Sequence, residues 1–201
     1  MENGVINLLF AGVGGQGVLL AGELTARTAI DSGFDAKKSE VHGVAQRGGS
    51  VVSHVRFGKK VYSPLCWCGK VDIFLAFEKL EALRWGYYVK KGGKILVNNQ
   101  KIQPAQFLEK PVSYPENILT FLTNKGYDVY SVDCIEKARE LGNVRVFNVI
   151  LLGFASKFLS MKEDSWIRTL KMNFSEKLYK INEKAFLLGR EIYEKRKIKR
   201  G

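Results

Sequence analysis

The chain has 201 residues, of which 46% are apolar and 26% charged, so it can bury the core of one domain. Its net charge is +12, but no basic stretch interleaves with aromatic residues as in nucleic-acid-binding modules, and we expect no nucleic-acid partner. No apolar run approaches the ~20 residues that span a bilayer, and no signal peptide is recognisable, so we expect a cytoplasmic protein without a membrane span.

The first half of the chain alternates short apolar runs with glycine-containing turns, which is typical of an α/β domain. In chain order the sequence predicts a strand over residues 5–11, a glycine-rich turn over 12–17, a helix that ends near 32–33, and a second strand over 34–41. An apolar, partly alternating run over 51–57 follows, and Gly58 turns the chain into Val61 and Tyr62. This pattern favours an antiparallel hairpin around Gly58 and therefore a mixed β-sheet.

The second half of the chain changes from strands to helices near residue 134. It predicts a buried strand over 71–77, a helix over 78–85, and strands over 94–98 and 127–132. Residues 146–159 are apolar nearly all round, which indicates a buried helix. The last segment predicts a long amphipathic helix with one apolar stripe, which packs either on the core of the chain or against another subunit. The stripe consists of Leu178, Ile181, Ala185, Leu188 and Ile192.

These elements predict a three-layer α/β fold with a mixed β-sheet and a glycine-rich loop after the first strand. We expect the α/β domain to occupy residues 1–135 and a helical C-terminal segment, residues 136–201, to pack on it or extend it. The basic residues at the end of this segment either form a solvated helix end or attract an acidic partner or a phosphorylated ligand.

The order strand, glycine turn, helix at the start of the chain is an anion-binding arrangement. Gly12, Gly14 and Gly17 fit the spacing G-x-G-x-x-G, in which glycine permits a tight turn and the helix start offers free N–H groups. Taken alone, the motif suggests a dinucleotide-binding fold, with Glu40 near the place of the ribose-binding acid. However, Glu40 leads into a second loop with Arg47 among glycines, which is foreign to the dinucleotide pattern.

The two loops supply the candidate binding residues. Gln16 could direct its amide into a cleft or act as a structural cap. Arg47 could hold a phosphate or a carboxylate through two hydrogen bonds, or it could form a structural salt bridge. Both loops follow predicted strands, so we expect their tips to emerge at one edge of the sheet as one surface. The candidate cofactor-binding residues are Gly12, Gly14, Gly15, Gln16, Gly17, Arg47, Gly48 and Gly49.

Other polar residues point less clearly to chemistry. His42 has no nucleophile spaced with it by a known motif, so we interpret it as a packing residue rather than a base. Glu78 either caps a helix or lies at the carboxyl edge of the sheet. Three cysteines, Cys66, Cys68 and Cys134, are too few for an iron–sulfur cluster, which usually has four. A structural zinc site needs four ligands, and His42 and His54 lie well away from the cysteine pair in sequence. We expect free thiols, no metal site and no catalytic residue in this chain.

Several short motifs occur in a fixed order. The glycine turn GVGGQGV over 12–18 is followed by EVHG over 40–43 and QRGGSV over 46–51; AFE over 76–78, EALR over 81–84, Asn148 and Leu152-Gly153 come later. In this order they resemble the gamma domain of the 2-oxoacid:ferredoxin oxidoreductases, most closely the gamma-type beta subunit of the indolepyruvate branch. The resemblance covers residues 5–160, and the helical segment beyond carries no matching motif.

The resemblance implies a cofactor-free subunit that is inactive alone. Complexes of this family decarboxylate a 2-oxoacid oxidatively to an acyl-coenzyme A and pass the electrons to ferredoxin. Thiamine diphosphate, magnesium and iron–sulfur clusters are then expected on partner chains, and coenzyme A there or at an interface. The two glycine loops are implied to contact coenzyme A phosphates or the partner. The alternative is a free-standing Rossmann-type nucleotide-binding protein.

Overall fold

The computed structural model describes residues 4–42, 49–103 and 113–198. Its strands are β1 (Ile6–Val13), β2 (Asp35–His42), β3 (Ser50–Gly58), β4 (Val71–Ala76), β5 (Val89–Asn98) and β6 (Asp128–Val132). Its helices are α1 (Val18–Asp31), α2 (Lys79–Trp85), α3 (Ile118–Asn124), α4 (Cys134–Glu140), α5 (Phe147–Ser156), α6 (Glu163–Asn173) and α7 (Glu176–Ile198). None of the helices in the described ranges combines the length and the apolar character that crossing a membrane requires.

The six strands form one mixed sheet in the order β2-β3-β1-β4-β5-β6. Strands β1, β4, β5 and β6 run parallel, whereas β3 is antiparallel to both β1 and β2. The predicted mixed sheet is confirmed, but the hairpin around Gly58 is wrong. Val61 and Tyr62 form no strand, and Gly58 instead lies opposite Asp35 of β2. The N–H of Val61 donates to the Asp35 carboxylate at 2.8 Å, so a side chain satisfies this donor that a hairpin would have used.

The strand order also separates this fold from the dinucleotide-binding fold. In that fold the strand after the first helix lies beside the first strand and parallel to it. Here β3 lies between β1 and β2, and it runs antiparallel to both. Glu40, on the edge strand β2, forms a salt bridge with Lys38 at 2.6 Å. The strand that carries this acid is therefore not next to the strand that carries the glycine turn.

Both faces of the sheet are covered by helices. Side chains alternate along β1, so that Leu8 and Phe10 pack towards α1 and the C-terminal helices, whereas Leu9 and Ala11 pack towards α2 and α3. The largest fully buried side chain, Trp166 of α6, belongs to the first of these two cores. The predicted three-layer α/β arrangement is confirmed, and the glycine turn follows the carboxyl end of β1 at one edge of the sheet.

The apolar helix α5 is buried along its whole length and packs against α7. A Cβ at Gly153 would lie 2.0 Å from the carbonyl oxygen of Phe186, and one at Gly189 would lie equally close to a carbonyl of α5. The two glycines therefore let the backbones of the helices approach closely. Of the apolar stripe predicted on α7, Ala185 is fully buried in this core, whereas Leu178 is exposed.

Candidate functional site

The glycine-rich turn lies between the carboxyl end of β1 and the start of α1. Gly15 and Gly17 have φ angles of 96° and 76°, a conformation that side chains disfavour. A Cβ at Gly12 would approach Cβ of Phe77 to 2.8 Å, and one at Gly17 would lie 2.1 Å from the amide nitrogen of Asn148. Glycine is thus needed both for the backbone conformation and for close packing, and the turn is a fixed part of the fold.

The side chain of Gln16 is buried beneath the turn. Its Oε1 accepts a hydrogen bond from the N–H of Val13 at 2.7 Å. Its Nε2 donates to the carbonyl of Phe77 at 3.1 Å and to Oε1 of Gln100 at 3.0 Å. Both donor hydrogens of the amide are therefore used inside the chain. Of the two roles considered for Gln16, this geometry favours the structural one, in which the amide joins the turn to the ends of β4 and β5.

Asn98 completes a buried polar network that sequence reasoning did not identify. It is fully buried, and its Nδ2 donates to the same Phe77 carbonyl at 3.0 Å and to Oε1 of Gln100 at 3.1 Å. Its Oδ1 has no hydrogen-bond partner within the described part of the chain. The available signal was a run of amide residues, Asn98, Asn99 and Gln100, at the end of a predicted strand, but Gln16 and Phe77 lie 61 residues apart in the chain. Only the folded sheet edge brings these groups together.

Glu78 caps helix α2. Its Oε2 accepts from the N–H groups of Leu80 at 2.6 Å and Glu81 at 3.1 Å. Its Oε1 accepts from the N–H of Ile102 at 3.0 Å and from the hydroxyl of Tyr114. Burial and the neighbouring Glu78 carboxylate raise the pKa of the Tyr114 hydroxyl. Of the two roles left open for Glu78, the structure shows the cap.

A second buried carboxylate, Glu81, joins α2 to the start of β3. It accepts hydrogen bonds from the hydroxyl of Ser50 and from the indole N–H of Trp85, the latter at 3.2 Å. Trp85 also donates to the Ser50 hydroxyl at 3.1 Å. These bonds fix the point where the second loop re-enters the sheet, and sequence reasoning did not assign a role to any of the three residues.

The second loop is described only at its end. Residues 43–48, which include Arg47 and Gly48, lie outside the described residues, and only the backbone of His42 is described. The carbonyl of Gly49 accepts a hydrogen bond from the N–H of Gly14 at 2.9 Å. The glycine turn and the end of the second loop are therefore adjacent, whereas the role of Arg47 stays a prediction.

A cleft of about 460 Å³ opens beside the glycine turn. Its walls are the backbone of the turn and the apolar side chains of Val18, Leu19 and Val51. No side chain caps the start of α1, and its first turn has no acidic residue. The cleft therefore combines backbone donors and the positive end of a helix dipole with apolar walls, and none of its described lining residues is acidic.

The cysteine and histidine side chains are dispersed. Burial raises the pKa of the Cys66 thiol to about 12, and burial also raises the pKa of Cys134. Burial lowers the pKa of His54, whose Nδ1 accepts a hydrogen bond from the N–H of Cys66 at 3.3 Å. Cys68 is exposed. Within residues 4–42, 49–103 and 113–198, no three His, Cys, Asp or Glu side chains converge in a way that could hold a metal ion.

The fold and the site together define an α/β domain that has a Rossmann-like glycine turn but a different strand order. The family model described as pyruvate ferredoxin/flavodoxin oxidoreductase matches residues 7–192. The chain belongs to this family.

Two groups of relatives are similar along nearly the whole chain. Indolepyruvate oxidoreductase subunit IorB of Thermococcus kodakarensis is 36% identical over 188 residues, which cover 91% of this chain and 93% of the relative. The common subunit gamma of the pyruvate/ketoisovalerate oxidoreductases of Thermococcus litoralis is 28% identical over 199 residues, which cover 95% and 97% of the two chains. The predicted resemblance to gamma-type subunits of 2-oxoacid:ferredoxin oxidoreductases is confirmed.

Solved structures share the fold. The gamma subunit of a keto/oxoacid ferredoxin oxidoreductase from Geobacter sulfurreducens superposes with a TM-score of 0.71 at 24% identity, over 94% of this chain and 98% of that one. A 2-oxoglutarate:ferredoxin oxidoreductase from Magnetococcus marinus, solved with 2-oxoglutarate, coenzyme A and succinyl-CoA bound, gives a TM-score of 0.75 at 21% identity. This chain corresponds to 32% of that protein's chain.

Proposed function

We propose that this chain is the cofactor-free, gamma-type subunit of a 2-oxoacid:ferredoxin oxidoreductase of the indolepyruvate or pyruvate/2-ketoisovalerate type. The observation that carries the proposal is the similarity of nearly the whole chain to separate subunits of these enzymes. The family resemblance implies oxidative decarboxylation of a 2-oxoacid to an acyl-coenzyme A, with electrons passed to ferredoxin. The chain is inactive without its partners and contributes no catalytic residue.

The side chains described above support this division of labour. An iron–sulfur cluster is bound by thiolates, usually four. The chain has three cysteines, and the raised pKa values of Cys66 and Cys134 keep both as thiols. The cysteines thus argue only against a cluster in this chain. In this proposal the family resemblance places thiamine diphosphate, magnesium and the iron–sulfur clusters on partner subunits, and ferredoxin reacts with the assembled complex.

The cleft beside the glycine turn fits part of coenzyme A. A phosphate suits the N–H groups and the dipole at the start of α1, and the apolar walls of Val18, Leu19 and Val51 suit an uncharged chain. Arg47, in the adjoining loop, is proposed to supply the charged contact. The alternative for the same residues is contact with the partner subunit. The strand order does not favour a free-standing dinucleotide-binding protein.

Reconstitution tests the proposed function directly. The isolated chain, the candidate thiamine-diphosphate-bearing chain and their mixture are assayed for 2-oxoacid-dependent reduction of ferredoxin or a viologen dye, with and without coenzyme A. We expect activity only in the mixture, and no iron, flavin or thiamine diphosphate in the isolated chain. Turnover by the isolated chain, or full activity of the partner without it, would contradict the proposal.

A matched pair of glycine substitutions tests the cleft. Gly15 and Gly33 have φ angles of 96° and 85°, and a Cβ at either position would meet no heavy atom within 4 Å. Ala at either position thus costs a similar backbone strain, about 1–2 kcal/mol, but only Gly15 lines the cleft. We expect Gly15→Ala to raise the Michaelis constant for coenzyme A several-fold relative to Gly33→Ala.

The outcomes of this pair separate the two uses of the turn. A lower affinity for the partner, with an unchanged Michaelis constant, would show that the turn contacts the partner instead of coenzyme A. Equal behaviour of the two variants would remove the turn from the functional surface.

Arg47→Ala is expected to change unfolding free energy by no more than about 0.5 kcal/mol. It is expected to weaken either the binding of coenzyme A or the binding of the partner subunit about ten- to a hundredfold, which corresponds to the loss of one charge-assisted hydrogen bond.

A further inference from the structure

The connection between β3 and β4, residues 59–70, is fixed from its inner side. The guanidinium of Arg56 donates to the carbonyl of Ser63 at 2.8 Å. The N–H of Cys66 donates to His54 at 3.3 Å, and the thiol of Cys66 donates to the carbonyl of Leu8 at 3.4 Å. Since Cys66 is itself buried, the connection is held in one conformation by the core rather than by its exposed side.

The outer side of the same connection exposes large apolar side chains. Tyr62 is 87% exposed, Trp67 is 75% exposed and Leu65 is 49% exposed. Tyr87 is 57% exposed and lies next to them, because its carbonyl accepts a hydrogen bond from the N–H of Gly69 at 3.2 Å. Groups of exposed apolar side chains mark interaction sites, and aromatic residues contribute most of the affinity at such sites.

A basic cleft of about 660 Å³ lies directly beside these side chains. Among the residues that the structure describes, its lining includes Tyr62 and Trp67 and four cationic residues, and none of these lining residues is acidic. The carboxylates of Asp35 and Asp72 lie behind the lining, where they accept hydrogen bonds from the N–H groups of Val61 and Asn7. The four cations are Arg56, Lys59, Lys60 and Lys70. A cleft lined by charges of one sign focuses the electrostatic potential and attracts groups of the opposite sign.

We propose that this aromatic surface and basic cleft form the docking site for an acidic segment of the partner subunit that carries the reaction chemistry. The inference rests on the proposed function, because it names the surface through which that subunit binds. A preformed connection with outward aromatic side chains loses little conformational entropy on binding. Aromatic anchors beside arginine are also typical of protein interfaces.

The charge and the position of the surface decide between possible occupants. A second copy of this chain would bring the same excess of cations to the interface, which like-charge repulsion disfavours. The cleft lies at the start of β1, beside Asn7, whereas the glycine turn follows Val13 at its end. At roughly 3.3 Å per residue the two surfaces are about 20 Å apart, so docking here leaves the glycine turn accessible.

Binding measurements on the reconstituted complex test the docking site. The dissociation constant for the thiamine-diphosphate-bearing subunit is measured for the wild type, Lys59→Glu/Lys60→Glu and Trp67→Ala. We expect each variant to weaken binding roughly tenfold or more, and the charge reversal to act mainly at low salt. The control Lys171→Glu/Lys177→Glu changes the net charge equally at exposed positions on α6 and α7 and should stay within about threefold of the wild type.

Each outcome supports or overturns the docking site. A melting curve is recorded for every variant. If one of them unfolds, Tyr62→Ala repeats the test, because the Tyr62 side chain is almost fully exposed and its loss should not affect folding. Wild-type affinity in the folded cleft variants overturns the docking site but leaves the proposed function intact. Failure of the wild-type chain to bind the subunit overturns both. A further outcome is that the isolated chain binds ATP and that Lys59→Glu/Lys60→Glu loses this binding but keeps its affinity for the partner. This outcome would assign the cleft to a small anion and overturn protein docking.

Discussion

Replacement of Gln16 by glutamate tests whether the glycine turn is held by a buried amide. The change keeps the acceptor for the N–H of Val13 but replaces the donating Nε2 by oxygen. That oxygen would face the carbonyl of Phe77 and Oε1 of Gln100, which lie 3.1 Å and 3.0 Å from Nε2. Two favourable contacts thus become contacts between acceptors, unless the new carboxyl group binds a proton.

The geometry sets an upper limit on the loss of unfolding free energy. Protonation of a carboxyl group whose unfolded pKa is about 4.3 costs about 1.4 kcal/mol for each pH unit above that value, or about 3.7 kcal/mol at pH 7. The protonated group can donate to only one of its two neighbours, which costs about 1 kcal/mol more. The loss for Gln16→Glu at pH 7 is therefore at most about 5 kcal/mol, and it falls to about 1 kcal/mol near pH 4.3.

The sign of the pH dependence follows from the raised pKa of the introduced group. Below the unfolded pKa the group is protonated in both states, so the pH-dependent part of the loss is absent. The loss grows as the pH rises from the unfolded to the folded pKa and is constant above the latter. Urea unfolding of the wild type and Gln16→Glu at several pH values between 4.5 and 8 measures this difference.

An exposed position provides the control. Gln103→Glu makes the same chemical change at an exposed glutamine and should alter unfolding free energy by no more than about 0.5 kcal/mol at any pH. A stability difference for Gln16→Glu that is as small as in the control, or that does not change with pH, would refute the buried network.

Three further predictions concern packing, thiol reactivity and histidine charge. Gly153→Ala and Gly189→Ala should each lower the free energy of unfolding by about 1–3 kcal/mol, because a Cβ would meet backbone atoms at 2.0 Å. Both changes separate the same two helices, so urea unfolding of the double variant should show a loss smaller than the sum of the two single losses. Strict additivity would contradict this close packing. An alkylating reagent at pH 8 should modify the exposed Cys68 well before Cys66, whose pKa is raised to about 12, and mass spectrometry measures the two rates. Equal rates would refute the burial of Cys66. Because burial lowers the pKa of His54, the stability of the wild type should fall as the pH drops below about 6.5, the pKa of histidine in the unfolded chain. Melting curves of His54→Gln should lack this part of the pH dependence. The same pH dependence in both proteins would contradict the burial of a neutral His54.

The local features of the site were accessible from the sequence. The spacing of Gly12, Gly14 and Gly17 predicts a turn between strand and helix, and the structure shows why glycine is needed at two of these positions. Gly17 has a positive φ angle, and a Cβ at Gly12 or Gly17 would meet other atoms too closely. The position of Glu78 between a predicted strand and a predicted helical segment made a helix cap one of two possible roles, and the structure shows the cap. The partners of Gln16 were not predictable, because Phe77 and Gln100 reach it only through the pairing of β1 with β4 and of β4 with β5.

The sequence by itself determined the α/β class, the buried helix α5 and the family, since these depend on periodicity, turn residues and ordered motifs. The mixed sheet was predicted from a hairpin around Gly58 that the structure does not contain, because the antiparallel strand β3 pairs with β1 and β2 instead. Only the tertiary structure decided which strands pair. The apolar run of β3 is compatible with a hairpin around Gly58, but its pairing with both β1 and β2 buries it between two strands. Strand pairing depends on hydrogen bonds between distant segments and on which face is buried, and neither is encoded in a short window of sequence. For the same reason, only the folded chain shows that Tyr62 and Trp67 are exposed beside a basic cleft.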